Sequence, residues 1–193
     1  KSVLNLTLSF NKYNPLRGCS YIDLPSLIKN KQACVNVKNY DNQCFKWAVL
    51  SCLHASEILK DPQSVSKYKK YKDELKFDNI EFPVSLCDIP KFERLNNISI
   101  NVYMLKKINN ELKPLPCHLT KEEKTIHVNL LVVEEVYYGE DEIDNEEPSY
   151  NFHYVWINNL SVLINKSVSK NGNKKHICNR CMHYFRTEQK LII

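Results

Sequence analysis

The stretch DNQCFKWAVLSCLHASEI, Asp41 to Ile58, decides how the rest of the chain is read. From Cys44 onward, Phe45, Val49, Cys52 and Ser56 share one face at helical spacing. Trp47, Leu50 and His54 share a neighbouring face. A helix apolar nearly all round is expected to be central and buried. The polar turn Asn39–Gln43 precedes it, and Asp41 or Asn42 is suited to cap it. Cys44 therefore opens a buried helix. A thiol is nucleophilic only as the thiolate, and its ordinary pKa of about 8.5 leaves it mostly protonated at neutral pH. Unpaired amides at a helix N-terminus favour negative charge there, and the same amides can hold an oxyanion. Cys44 is the candidate nucleophile for this reason.

The matching base must come from a distant segment. Of the six histidines, His153 fits best. It follows a long polar loop and begins the apolar run Tyr154-Val155-Trp156-Ile157. Asn159 stands six residues later, with Asn158 beside it. An amide there could accept a hydrogen bond from the ring and fix its tautomer. Asn159 is preferred, because a residue beyond the strand end is freer to turn back. His127, in the middle of IHVNLLVV, reads as structural; His54 and His118 have no supporting context.

Outward from these residues the pattern divides in two. Before Cys44, Tyr21–Lys31 reads as a short amphipathic segment and Ala33–Val37 as a strand. Val3–Phe10 alternates and reads as a strand or an arm. After the helix, Ser64–Leu75 reads as a lysine-rich surface helix, Ile80–Pro83 as a short strand stopped by proline, and Ser85–Asn96 as a short helix with Pro90 near its start. Then Ile98–Leu105, Glu111–Leu115, Ile126–Glu134 and Asn151–Ile157 alternate, rich in β-branched and aromatic residues, as antiparallel strands do. Asn159–Ile164 opens a short helix. The expected class is α+β, with the nucleophile helix packed on an antiparallel sheet.

The 193 residues, 43% hydrophobic, suit one domain with a real core and a small appendage. No apolar run reaches the ~20 residues of a membrane helix, so no membrane partner is expected. Eight cysteines without a secretory signal read as thiols in a reducing compartment, cytoplasm or nucleus, with Cys34, Cys52, Cys87 and Cys117 as buried hydrophobes. The net charge of +5 is modest evidence for nucleic acid. It is unevenly placed: lysines gather at Lys67–Lys76 and Lys166–Lys175, and acids at Glu134–Glu147. The chain begins at Lys1, which suggests an excerpt of a longer protein.

Asp41-Asn42-Gln43-Cys44-Phe45-Lys46-Trp47-Ala48, with Phe152-His153-Tyr154-Val155-Trp156-Ile157 far downstream, resembles a papain-like cysteine peptidase. The D-x-x-C spacing resembles ovarian-tumour-class deubiquitinases. Viral-tegument-like deubiquitinases are a second likeness, but they carry an acid two residues after the histidine, where this chain has Val155. The resemblance implies a papain-like fold and a thiol hydrolase that cleaves after the C-terminus of ubiquitin or a ubiquitin-like protein, with no cofactor for catalysis. It implies an oxyanion hole from Asp41, the backbone of Cys44, and Asn42 or Gln43, with Gln32 ranked lower. It implies a narrow channel for the substrate tail, walled by Trp47, Tyr154 and Trp156, with the acidic loop 134–147 as an attractor for a basic tail. The longer string from Tyr21 through Cys44, Ile80–Phe92, Ile98–Tyr103, His153–Leu163 and the terminal Cys-x-x-Cys resembles a family encoded by Polinton-like eukaryotic mobile elements, beside a B-family DNA polymerase.

Cys178-x-x-Cys181, followed by Phe185 and Leu191, matches the first half of a Cys-Cys-His-His zinc finger. The second ligand pair would lie beyond Leu191, so the metal site is incomplete here. His176 and His183 lack the usual spacing. A complete finger would hold zinc and could bind nucleic acid. The expected organisation is a peptidase domain over 1–165, a basic linker over 166–175 and the half-finger over 176–193. Two other functions compete with the deubiquitinase: a processing peptidase for the element's own polyprotein, and a catalytically dead nucleic-acid-binding module.

Overall fold

Strand alternation organises the fold. In the computed structural model, which describes residues 20–108, 111–137, 149–168, 176–180, 182–185, 187 and 189, five strands form one sheet in the order β1-β5-β4-β2-β3. They are β1 (Cys34–Val35), β2 (Ser99–Ile108), β3 (Glu111–His118), β4 (His127–Tyr137) and β5 (Ser149–Ile157). All pairs are antiparallel except β2 with β4, which run parallel. The sheet is therefore mixed, not antiparallel as its alternation suggested. The hairpin β2–β3 reverses the chain, and the chain then crosses back to the other side of β2, which makes β4 run the same way as β2. Period-2 patterning reports faces and carries no information on strand direction.

Alternation sends each strand's side chains to two cores. Val128, Leu130, Val132, Phe152 and Tyr154 pack against α2 (Cys44–Leu53) and α3 (Ile89–Asn96). Leu131, Val133, Val155 and Ile157 pack on the other side, with Ile28 of α1 (Ser26–Lys29) and Leu163 of α4 (Leu160–Val168). The result is a helix–sheet–helix sandwich of class α+β.

α2 is the central helix the sequence promised, though it ends at Leu53. Cys44, Phe45 and residues 47–51 are all buried. The ring of Phe45 is edge-on to Phe92 at 5.0 Å and to Tyr154 at 5.2 Å. A side chain so placed stabilises the fold by about 1.5–3 kcal/mol relative to exposure. The N-cap of α2 is Gln43, not Asp41 or Asn42, and no side chain caps the helix.

Three expectations between α2 and β2 change. Ser64–Leu75 forms two short 3-10 turns, Val65–Lys67 and Lys69–Tyr71, because Tyr68 is drawn into the core and its hydroxyl donates to Pro62 O at 2.7 Å. Ile80–Pro83 forms no strand; its Phe82–Pro83 bond is cis, and Ile80 simply fills the core. Ser85–Asn96 is a 3-10 turn, Leu86–Asp88, running into α3, with Ser85 and Asp88 forming a reciprocal capping box and Pro90 in the first helical turn.

α4 extends to Val168 and so takes in the first residues of the expected linker. The rest of that linker, the Val3–Phe10 segment, Cys19, Cys181, Leu191 and most of the acidic loop lie outside the described residues.

Candidate active site

Asp41 is the organiser of the loop that delivers Cys44. Its Oδ1 accepts from Gln43 N at 3.0 Å, from Trp47 Nε1 at 3.0 Å and from Asn39 Nδ2 at 3.0 Å. Asn39, itself buried, also donates to Asp41 O at 2.6 Å. The carboxylate thus folds the turn back on itself and ties it to the first turn of α2. A carboxylate only accepts hydrogen bonds, and here it takes up the backbone amide of Gln43. Gln43 Oε1 accepts from Lys46 Nζ at 3.1 Å, and Asn42 is exposed.

The expected channel walls also change. Trp47 is 5% exposed and bonded to Asp41, and Tyr154 is 1% exposed against Phe45. Both are core residues. Trp156 is half-buried and packs against the α2-side core. The exposed aromatic in the loop before Cys44 is Tyr40, 90% exposed, which the sequence marks only as a turn residue.

His153 is fully buried. Its Nε2 lies 2.8 Å from Asn36 Oδ1, and Asn36 Nδ2 donates to Ile22 O at 2.9 Å. The second bond fixes the amide's orientation, so Oδ1 is the atom presented to the ring. Nε2 must then carry the hydrogen, which puts the basic lone pair on Nδ1. The ring of Tyr21 sits edge-on to the imidazole at 5.7 Å, its hydroxyl donates to Asp23 at 2.9 Å, and its backbone N–H is held by Asn39 O at 3.0 Å. Burial, with the nearby Asp23 carboxylate, pushes the Tyr21 hydroxyl up to about 12.

Asn36 therefore holds the place expected for Asn159. Asn159 Oδ1 instead accepts from Val162 N at 3.1 Å and caps the start of α4. Asn36 was legible only as a polar residue inside the apolar run ACVNV. Its partner across the sheet could not be read without the β1–β5 register, Cys34 to Ile157 and Val35 to Trp156.

The two halves of the expected dyad reach β5 from different sides. Cys44 is buried in the α2-side core with Phe152 and Tyr154. His153 alternates with those residues, and like Val155 and Ile157 it turns to the opposite face, where Tyr21, Ile22 and Asn36 meet it. One short segment links the two sides: residues 37–43 run from Asn36 into α2.

Burial pushes Cys34 up to about 12 and Cys52 up to about 11. None of the six described cysteines forms a disulfide. Cys87 and Cys117 are exposed rather than buried, since the turn Leu86–Asp88 and the outer strand β3 lie at the surface.

A cleft of about 1040 Å3 runs along residues 38–41, in the loop before Cys44. Lys38, Tyr40 and Asp41 line one wall, and Asp61, Lys67 and Lys69 line the other. Its floor is the pairing of Lys38 with Ser64, where Lys38 N donates to Gln63 O at 2.8 Å.

At the C-terminal end, β6 (His176–Ile177) pairs with β7 (Tyr184–Phe185), and Cys178 sits in the turn between them. Cys178 N donates to His183 O at 2.9 Å and Cys178 O accepts from Met182 N at 3.0 Å. Cys181 lies outside the described residues, and among the described residues no group of three or more His, Cys, Asp or Glu is placed to hold a metal. The hairpin is docked on the sheet: Asn101 Nδ2 donates to Asn179 O at 2.7 Å, Asn179 Nδ2 donates to Glu123 at 2.8 Å, and the Tyr103 hydroxyl meets Met182 Sδ at 3.3 Å.

Among the described residues no helix is long and apolar enough to cross a membrane. No family model, no curated protein and no solved structure matches this chain.

Proposed function

We propose that the chain is a papain-like thiol peptidase, with Cys44 as nucleophile, His153 as base and Asn36 as the residue that orients the base. The observation that carries this reading is the buried Asn36–His153 pair, whose amide is locked by Ile22 O and whose imidazole is held as the Nδ1-basic tautomer. The second support is Cys44 as the first residue of a buried helix.

In the proposed reaction His153 Nδ1 takes the thiol proton and Cys44 Sγ attacks the scissile carbonyl carbon. The carbonyl oxygen becomes an oxyanion stabilised by amides at the start of α2. The C–N bond then breaks, and the amine leaves with the proton from His153. Water, deprotonated by the same ring, hydrolyses the thioester. Zinc has no part in these steps.

The substrate class suggested by resemblance is ubiquitin or a ubiquitin-like protein. The processing-peptidase reading gains support from the three lysines of the cleft, which disfavour a basic tail. Incubation with ubiquitin bearing a C-terminal thiol-reactive electrophile separates the two. An adduct of ~8–9 kDa in the wild type, absent in Cys44→Ala and His153→Ala, supports the ubiquitin-directed enzyme. An adduct that persists in Cys44→Ala, or selective alkylation of another cysteine, overturns Cys44 as nucleophile.

A further inference from the structure

We infer that the cleft between residues 38–41 and 61–69 seats the substrate chain on the acyl side of the scissile bond, and that it selects an acidic segment there. The inference rests on the thiol-peptidase reading for the word substrate, but the cleft's own chemistry carries the choice of ligand.

Position comes first. One wall of the cleft is the chain between Asn36, which holds the imidazole, and Cys44, which opens α2. A polypeptide lying in it would run past the nucleophile loop. Lys38, Asn39 and Tyr40 reach the cleft because Lys38 pairs with Ser64 and Asn39 is pinned by Tyr21 N and Asp41. The opposite wall is held by Tyr68, buried at 1% exposure and bonded to Pro62 O, so Lys67 and Lys69 flank an anchored residue.

Charge decides the ligand. The lining carries Lys38, Lys67 and Lys69 against Asp41 and Asp61. The Asp41 carboxylate is already occupied by Gln43 N, Asn39 Nδ2 and Trp47 Nε1. Those bonds hold Asp41 in the loop and leave its charge in place, so three ammonium groups stand against two carboxylates, a surplus of one positive charge. The surplus favours carboxylates and disfavours arginine-rich segments. Tyr40, 90% exposed at the rim, offers a flat amphipathic surface for a neighbouring apolar side chain.

The test uses the full chain and two fluorescein-labelled peptides, Glu-Glu-Leu-Gly and Arg-Arg-Leu-Gly, each also made with a C-terminal vinyl sulfone. Anisotropy reads binding, and intact mass reads Cys44 adducts. The expected result is binding of the Glu peptide about tenfold or more tighter than the Arg peptide, a difference of ~1.4 kcal/mol. Lys67→Glu/Lys69→Glu should invert the order, Tyr40→Ala should weaken both peptides, and Cys44→Ala should bind as the wild type does. Equal affinities, a preference for arginine, or a preference unmoved by the double substitution would overturn the inference. Selective binding with no adduct at Cys44 would sink the peptidase reading while leaving an acidic-peptide cleft; adducts without selectivity would do the reverse.

Discussion

Asn36 Oδ1 and His153 Nε2 lie 2.8 Å apart although 117 residues separate them in the chain. The contact joins a residue just beyond the edge strand β1 to the middle of β5, and both side chains are buried. A polar pair so enclosed is costly to break, because each orphaned group costs about 1–3 kcal/mol.

Replacement of Asn36 by Ala is therefore expected to do two things. It should destabilise the fold by about 2–4 kcal/mol, as His153 and Ile22 O both lose a partner. It should also lower turnover by ~100-fold or more if the tautomer is what Asn36 supplies. Asn159→Ala should cost only the cap of α4, about 1 kcal/mol, with turnover kept. Urea melts and reaction rates of the two variants side by side check this; equal loss of turnover would return Asn159 to the site.

Tyr154 carries a different prediction. Its hydroxyl is buried with no hydrogen-bond partner among the described residues, and burial pushes its pKa well above the ordinary value. Tyr154→Phe keeps the ring against Phe45 and removes the orphaned group. The variant should be as stable as the wild type, or more stable by about 1 kcal/mol. A clear fall in Tm would show that the hydroxyl has a partner.

Asp41→Ala removes the acceptor shared by Gln43 N, Asn39 Nδ2 and Trp47 Nε1. The loop should loosen at a cost of about 1–3 kcal/mol. Trp47 fluorescence should shift to the red as its indole N–H turns to water. An unchanged emission maximum would show that packing alone holds the indole.

Stability should fall in acid through Glu93. Burial raises its pKa, but the His118 ring, the Ile100 amide and the Thr120 side chain together outweigh burial and leave it lowered. Ile100 N donates to its Oε1 at 2.7 Å. A carboxylate lowered on folding contributes stability that is present above its unfolded value of about 4.3 and is lost as pH falls through the folded value. Glu93→Gln should flatten that part of the pH–stability curve. A curve of unchanged slope below pH 5 would assign the acid sensitivity elsewhere.

The sequence by itself determined the buried helix at Cys44, the positions of the long strands and the α+β class. Those features follow from local periodicity, and periodicity is set by which side chains must leave water. It also singled out Asp41 and His153 as polar residues set against apolar neighbours. The tertiary structure decided the rest. The parallel pairing of β2 with β4 depends on which side of β2 the returning chain takes. The choice of Asn36 over Asn159 depends on the β1–β5 register, and the sides of β5 taken by Cys44 and His153 depend on strand parity relative to a helix packed from elsewhere. The cleft depends on the pairing of Lys38 with Ser64, which sets residues 61–69 against the loop before Cys44. Each of these is a relation between segments far apart in the chain, and no local pattern of polar and apolar residues encodes which distant partner a side chain will meet.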